Sequence, residues 1–316
     1  METGSPCNRQ SSTNEIIMRI AVTGGSGDIG TYVCDELIAQ GHEVVCLDIA
    51  EPRIQTEFRQ CDLTDLDTAC DAVSDCEQIV HLAAIPDPFG DLPLEEVLGR
   101  NTVLSYNLFE AARRTGIRRV VYAGSESGSG FGIHEAELIP LYLPIDEEHP
   151  QWPHEAYSLS KYFGESIGAN YARAFGLEVV SLRYTAVWLQ RNAEAVEQMV
   201  AHARRGDGLE TLEPKDWLGG YIAVRDVARA FVAASKFRFA DTDIPFEAFC
   251  LSARDTCIQV PTLELAQARF GALPPLKDSR LFEDNPYASM FDIRKAKRLL
   301  GWEPAWTWRD FEKWEL

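Results

Sequence analysis

Short apolar segments alternate with amphipathic segments over the first 187 residues of the chain. The apolar segments are rich in β-branched residues and predict strands over 18–23, 43–47, 78–82, 119–123 and 177–182, with a further short strand before Asp62. Helical periodicity lies between them, over 28–40, 101–115 and 156–175. Strands that are apolar at nearly every position are typical of a parallel sheet with both faces covered. The pattern therefore predicts an α/β fold with a doubly wound parallel sheet.

After about residue 185 this alternation becomes irregular. A helix over 224–234 and a strand over 246–252 are exceptions, and we expect this pair to return to the main sheet. The chain is thus predicted to form two interleaved domains. The larger domain is 18–187 with 221–252 returning to it, and the smaller domain is 188–220 with 253–316.

Composition narrows the possible classes of protein. The 316 residues are 46% hydrophobic, which is enough for a full core, and the net charge of -19 argues against nucleic acid as a partner. No apolar run reaches the ~18 residues of a membrane span. The eight cysteines include no CxxC pair, and Cys34, Cys46 and Cys250 fit reduced core positions, so we expect a cytoplasmic protein. No metal site is predicted, and the polar segment 1–17 is expected to be a disordered tail and not a signal peptide.

A glycine-rich motif, GGSGDIG, occupies residues 24–30 between the first strand and the first helix. Gly24 permits a tight turn, Gly27 lets the backbone approach a pyrophosphate, and Gly30 lets the helix pack closely. The helix begins with Asp28 and Ile29, where free N–H groups and the helix dipole favour phosphate. An ordinary glycine-rich turn is the alternative, but the strand–loop–helix setting favours a Rossmann-type dinucleotide site.

An acidic residue follows the second strand at the expected distance from this motif. Asp48 lies 18 residues after Gly30, where a carboxylate can accept both ribose hydroxyls of NAD and repel the 2′-phosphate of NADP. Arg53 is the only base nearby. The sequence therefore predicts NAD as the cofactor.

Further cofactor contacts are predicted at the ends of two later strands. Asp62 and Leu63 could meet the adenine edge. The small residues of Leu82-Ala83-Ala84 would let the backbone pass under the cofactor. His81 in the same strand fits a packed structural histidine better than a catalyst.

A tyrosine and a lysine lie four residues apart on the helix predicted over 156–175. Tyr157 and Lys161 share one helix face, and an ammonium near a phenol is expected to lower the tyrosine pKa for acid–base work. Ser125 follows the strand over 119–123 and could orient the reacting oxygen, with Ser127 as its rival. Together with the glycine motif, these residues indicate hydride transfer to or from a nicotinamide at a carbinol carbon.

The chain resembles the extended short-chain dehydrogenase/reductases, the NAD-dependent epimerase/dehydratase family, over about residues 18–305. The resemblance rests on TGGSGDIG (23–30), Asp48, CDL (61–63), HLAA (81–84), Asn101, YAGS (122–125), YSLSK (157–161), LRYTAV (182–187), YIAVRDVARAF (221–231) and KAKRLLGWEP (295–304). It implies that Ser125, Tyr157 and Lys161 are catalytic, with Lys161 also on the nicotinamide ribose. It also implies a homodimer through helices near 92–115 and 155–175. The remaining cofactor candidates are Asn101, Tyr184 and Val187, and Ile85 is a substrate candidate.

Three departures from the family pattern bear on the substrate. Ser125-Glu126-Ser127 stands where the dehydratases carry Thr-Asp-Glu, so sugar dehydration is not expected. Trp188-Leu189 replaces the usual Gly-Pro, and Phe282 stands where nucleotide-sugar enzymes commonly have an arginine, with Arg280 out of step. These differences predict a small substrate without a nucleotide diphosphate, in contact with Trp188 and Phe282.

Several functions remain open on this sequence. The leading hypothesis is an NAD-dependent dehydrogenase of a sugar, sugar acid or similar small polyol, which the smaller domain would bind. The second is a nucleotide-sugar epimerase with tightly bound NAD. A catalytically silent NAD-sensing protein is a third, which the intact Ser, Tyr and Lys set disfavours. An acyl-transfer hydrolase would need a G-x-S-x-G elbow, which the chain lacks.

Overall fold

The predicted parallel sheet is present and has seven strands within the residues that the structure describes. This computed structural model describes residues 17–86, 92–131, 138–205, 219–240 and 242–313. All neighbouring strands of the sheet are parallel, in the order β3-β2-β1-β4-β5-β6-β9. A second, two-stranded parallel sheet pairs β7 with β8. The strands are β1 (Arg19–Thr23), β2 (Glu43–Asp48), β3 (Glu57–Gln60), β4 (Gln78–His81), β5 (Arg119–Ser125), β6 (Glu178–Tyr184), β7 (Ala186–Trp188), β8 (Tyr221–Ala223) and β9 (Phe246–Leu251).

The helices agree with the sequence pattern in part. The helix predicted over 101–115 begins seven residues earlier, because Val97 continues the buried stripe of Asn101, Ser105 and Leu108 at helical spacing. A short helix, α2, was not predicted. The α-helices are α1 (Asp28–Ala39), α2 (Leu66–Val73), α3 (Leu94–Thr115), α4 (Ala156–Phe175), α5 (Ala193–Arg205), α6 (Val224–Ser235), α7 (Thr262–Phe270), α8 (Arg280–Asp284) and α9 (Arg294–Leu300).

Helices cover both faces of the seven-stranded sheet. One face packs against α1 and α6, and the other packs against α2, α3 and α4. Segment 221–252 divides between the two sheets, since α6 and β9 lie on the main sheet while β8 pairs with β7. A third apolar cluster joins the later segments around Trp188, Tyr221 and Phe291. The domain bounds given above stay a prediction.

The chain reverses its direction of progress across the sheet at β1. This strand pairs with β2 on one side and with β4 on the other, so the segments that follow β1 and β4 leave over opposite faces. A crevice opens at the carboxyl ends of the strands at such a point. The predicted dinucleotide motif lies at this crevice.

Helix α4 carries Tyr157 and Lys161 and is fixed at its start and along its length. The carboxylate of Glu155 caps it, accepting from the backbone N–H of Tyr157 at 2.6 Å and from that of Ser158. Farther along, Gly168 lets the helix pack closely against α3 and β6, because a Cβ there would lie 2.7 Å from Phe109 Cζ and 3.0 Å from Val179 Cγ1. No helix of the described residues is long and apolar enough to cross a membrane.

The space around two helical glycines predicts opposite effects on stability when each is changed to alanine. Gly168→Ala should destabilise the fold by about 1–3 kcal/mol, because the methyl group meets Phe109 and Val179. Gly99→Ala on α3 should stabilise it by about 0.5–1 kcal/mol, because the site is open and alanine favours a helix. Urea unfolding of both variants measures this. Effects of the same sign would contradict the packing argument.

Candidate active site

A cleft of about 840 Å³ lies at the carboxyl ends of the central strands. This volume is in the upper part of the ~300–1,000 Å³ range of small-molecule sites. Most of the predicted site residues line it. The predicted cofactor residues in the lining are Gly24, Gly27, Asp28, Ile29, Gly30, Asp48, Asp62, Leu63, Leu82, Ala83, Ala84, Tyr157, Lys161, Tyr184 and Val187, and the predicted substrate residues are Ile85, Ser125 and Ser127.

The glycine loop forms one wall of the cleft. Gly24 has a φ of 69°, and a Cβ there would lie 2.7 Å from the backbone nitrogen of Ala83, so only glycine fits. No side chain caps the start of α1 at Gly27, which leaves the first-turn N–H groups available to an anion. The loop therefore has the shape and the donors to hold a pyrophosphate.

The backbone orients the carboxylate of Asp48. It accepts from the N–H groups of Ile49 at 2.7 Å, Ala50 at 3.2 Å and Ser26 at 3.1 Å. Asp62 is held in a similar way by Thr64, whose hydrogen bonds lower the pKa of this carboxyl. Both acids are thus fixed at the end of the cleft that would hold the adenosine.

Polar side chains that do not line the cleft position the segment that follows β4. Asn101 accepts from the N–H of Ile85 at 2.7 Å and donates to its carbonyl at 3.0 Å, and it also contacts Ser160. Asn101 itself does not line the cleft but holds the backbone of Ile85, which does, and its predicted cofactor contact stays a prediction. His81 is buried against Thr23 at 2.7 Å, and burial lowers its pKa to about 3, as expected of a structural histidine.

Ser125, Tyr157 and Lys161 meet at the other end of the cleft. Ser125 ends β5, and its side chain is hydrogen-bonded to that of Tyr157 and lies 2.8 Å from the Ser127 hydroxyl. Lys161 donates to the carbonyl of Ala123 at 3.0 Å and lies 5.7 Å from the centre of the Tyr157 ring. Of the two serines, Ser125 is the one whose side chain lowers the pKa of the Tyr157 phenol.

The pKa of Tyr157 is not lowered by Lys161 as the sequence led us to expect. Desolvation in the cleft raises the pKa of Tyr157, and the hydrogen bond with Ser125 only partly offsets it. Burial lowers the pKa of Lys161 to about 8, because its ammonium has lost contact with water. The expected lowering of the tyrosine pKa is therefore not found in the protein alone.

Trp188 and Phe282, the predicted substrate contacts, do not line the cleft, and their contact with the substrate stays a prediction. Side chains alternate along a strand, and since Val187 and Leu189 line the cleft, Trp188 points the opposite way. It is 2% exposed and stacks on Tyr221 with ring centres 4.3 Å apart. Phe282 is 4% exposed in the same apolar cluster. Both side chains pack in the apolar core of the later segments.

Sequence reasoning missed several lining residues. Thr185 immediately follows β6, so the rule that sites lie at strand carboxyl ends could have found it. Arg191 had no local signal, because a 3₁₀ turn outside the main sheet carries it to the cleft. There Arg191 and Arg53 both pair with Asp28 at the start of α1, at 3.3 and 3.1 Å.

A buried ion pair supports the turn that follows Ser125. Arg183 and Glu165 bridge at 2.5 Å, and Gln151 donates to the same carboxylate at 2.7 Å. Gln151 in turn packs against Gly128, where a Cβ would have no room. The pair lies behind the 3₁₀ turn Glu126–Ser129 and fixes its position.

Comparison with known proteins identifies the family. Residues 20–243 match the model of the NAD dependent epimerase/dehydratase family. The chain belongs to this family. It is 30% identical to a UDP-glucose 4-epimerase of Mycolicibacterium smegmatis, over 91% of this chain and 94% of that protein.

Two further comparisons bear on fold and function. A uronate dehydrogenase of Pseudomonas syringae pv. tomato is 33% identical over 52% of this chain and 58% of that protein, so this match spans about half of each. The crystal structure of a UDP-galactose 4-epimerase is 29% identical with a TM-score of 0.64, covering 94% of this chain and 99% of that one. NAD is the cofactor of this family, and the glycine loop and Asp48 fit it.

The fixed carboxylate of Asp48 predicts a preference for NAD over NADP. NADP should bind at least about tenfold more weakly, because its 2′-phosphate would face a like charge. Asp48→Asn removes that charge and should bring the affinities for NAD and NADP closer together. Arg53→Ala, which removes the nearby base, should not do so. Fluorescence titration of both cofactors at moderate salt measures the ratio. Equal affinity of the wild type for the two cofactors would contradict the assignment.

Proposed function

We propose that this protein is an NAD-dependent dehydrogenase that acts on a hydroxyl of a small sugar, sugar acid or similar polyol. The observation that carries the proposal is that the basic side chains lining the cleft already have partners within the protein. Four basic side chains line the cleft within the described residues: Arg53, Arg100, Lys161 and Arg191. Each of them has an acidic or carbonyl partner.

A substrate with a diphosphate would need cations near the catalytic end. A desolvated diphosphate is normally held by guanidinium groups that pair with its oxygens. Arg191 is close enough to Tyr157 to act on its pKa, but it is paired with Asp28, and Lys161 is engaged below the phenol. A small uncharged or singly charged substrate places no such demand on the described residues.

Each catalytic side chain has a defined task in this proposal. Bound NAD would accept or return the hydride at the carbinol carbon. Tyr157 holds or takes the proton at the substrate oxygen, and Ser125 hydrogen-bonds the same oxygen to orient it. Lys161, cationic below its pKa of about 8, favours the phenolate by its charge.

The similarity to a uronate dehydrogenase supports a sugar or sugar acid as substrate. A second candidate function is epimerisation of a nucleotide sugar, with NAD reduced and reoxidised in each turnover. The observation that favours it is that the match to a UDP-glucose 4-epimerase extends over 91% of the chain. The two candidates differ in whether NADH leaves the enzyme.

If the proposal is correct, the protein should form NADH from NAD and a small sugar or sugar acid, and it should not bind UDP. A panel of D-galacturonate, D-glucuronate, L-arabinose, D-galactose and UDP-sugars is followed by absorbance of NADH. Calorimetry of the NAD-loaded protein with UDP and UDP-glucose is the companion measurement. Micromolar binding of the UDP group together with no NADH accumulation would refute the dehydrogenase and favour the epimerase.

Tyr157→Phe is expected to lower turnover by about 10²–10⁴-fold and to leave NAD affinity nearly unchanged. The phenol performs proton transfer, and its hydroxyl contributes little to the binding of the cofactor. Lys161→Ala should reduce both turnover and NAD affinity, because the lysine would serve the phenol and the ribose. Steady-state rates and cofactor titration separate the two effects. A Tyr157→Phe enzyme of near-normal rate would remove Tyr157 from the mechanism.

Ser125→Ala should lose much more activity than Ser127→Ala. The Ser125 side chain acts on the pKa of the phenol, and the Ser127 hydroxyl is hydrogen-bonded to that of Ser125. The two variants differ only in position and serve as controls for one another. The reverse order of activities in the same kinetic assay would assign the catalytic role to Ser127.

Formation of a homodimer through α3 and α4 also stays a proposal. The described parts of these helices carry exposed apolar side chains, among them Val103, Tyr106 and Phe163. Light scattering coupled to size-exclusion chromatography would measure the mass in solution.

A further inference from the structure

Two buried oxygen atoms at the catalytic end of the cleft have no hydrogen-bond partner among the described residues. They are Oε2 of Glu126 and Oγ1 of Thr185. We propose that Glu126 and Thr185 form a substrate-recognition pair that binds a second hydroxyl of the substrate, next to the oxygen held by Ser125 and Tyr157. This inference rests on the proposed site of reaction and adds to it the residues that select the substrate.

The fold brings the two side chains to neighbouring positions. Ser125 of β5 and Tyr184 of β6 are register partners in the parallel sheet. Glu126 and Thr185 are the next residues along each strand, and both line the cleft. They are therefore at the same edge of the sheet, on adjacent strands, one residue beyond the catalytic serine and its neighbour.

Both side chains are withdrawn from water. Glu126 is 6% exposed and Thr185 is 3% exposed. Leaving a buried polar atom without a partner is unfavourable, and such atoms are rare in folded proteins. A ligand hydroxyl would supply the missing partner for both atoms, which is the reason to assign them to a ligand.

The protonation of Glu126 defines what the pair can bind. Burial raises the pKa of this carboxyl to about 8, so it holds its proton at neutral pH. Tyr157 lies close enough for Glu126 to act on its pKa, and no cation offsets the effect of burial on the pKa of the Glu126 carboxyl. Glu126 can therefore donate an O–H hydrogen bond as well as accept one.

A sugar hydroxyl is complementary to this pair. It can accept from the carboxyl group of Glu126 and donate to the hydroxyl of Thr185. A hydrogen or methyl group in the same place would leave both protein atoms unpaired. Sites built in this way discriminate strongly against analogues that lack the hydroxyl. The pair would thus select a polyol over a simple alcohol.

The kinetic test uses matched variants of both residues. Glu126→Gln keeps a donor and an acceptor, whereas Glu126→Ala removes both. Thr185→Ser keeps the hydroxyl, whereas Thr185→Val removes it with little change of shape. We expect kcat/KM to fall about 10–100-fold in Glu126→Ala and Thr185→Val, mainly through KM, and to change by less than about fivefold in the conservative variants.

The probes are D-galacturonate, L-arabinose and D-galactose with NADH as the readout. If none of them reduces NAD, the proposed dehydrogenase is wrong, and the same variants are compared with UDP-glucose by its epimerisation. Failure of the function and failure of the pair are thereby distinguished. Values of kcat/KM within twofold of wild type in both Glu126→Ala and Thr185→Val would overturn the pair with either substrate class.

A second measurement is independent of activity. The folded carboxyl titrates near 8 and the unfolded one near 4.5, so the folded state binds more protons between these values and its stability falls as pH rises through this window. Glu126→Gln lacks this titration. The melting temperature of Glu126→Gln relative to wild type should therefore rise steadily from pH 5 to pH 8. A constant difference over this range would show an ionised Glu126 and overturn its role as a donor.

Discussion

The reversal of the chain at β1 is the constraint on which the site depends. Because β2 and β4 flank the same strand, the segments that follow β1 and β4 separate and leave a crevice between them. The backbone at Gly24 passes so close to Ala83 that a side chain is excluded, and the uncapped start of α1 faces the crevice. The cofactor site is thus a direct consequence of strand order and of one tight turn.

The catalytic end of the cleft depends on a different kind of constraint. Its polar groups lie away from water, and each needs a hydrogen-bond partner from the protein or from a bound ligand. Lys161 is held by Ala123, and the turn after Ser125 is supported by the buried pair of Arg183 and Glu165. Glu126 and Thr185 lack such partners among the described residues. This difference separates the side chains that stabilise the site from the two that are proposed to bind the substrate.

Electrostatics in the protein alone do not prepare Tyr157 as a base. Desolvation raises the pKa of the phenol and lowers that of Lys161. Bringing the phenol into its reactive state therefore requires that the lysine keep its charge. A bound ribose hydroxyl and substrate oxygen would add hydrogen bonds at the same place. The proposed catalytic set of Ser125, Tyr157 and Lys161 is complete only with its ligands in the cleft.

The sequence by itself determined the sheet, the position of α4 and the dinucleotide loop, because these follow from local periodicity and from glycines at fixed spacing. The phenol, the lysine and the serine could be named for the same reason. Only the tertiary structure decided which way Trp188 and Phe282 point. Trp188 faces away from the cleft because side chains alternate along its strand, and both residues pack in the third apolar cluster. The ion pair of Arg191 with Asp28 and the register of Ser125 with Tyr184, which Glu126 and Thr185 directly follow, join residues far apart in the chain. Such contacts depend on strand register and packing between elements, for which the local pattern of residues carries no signal.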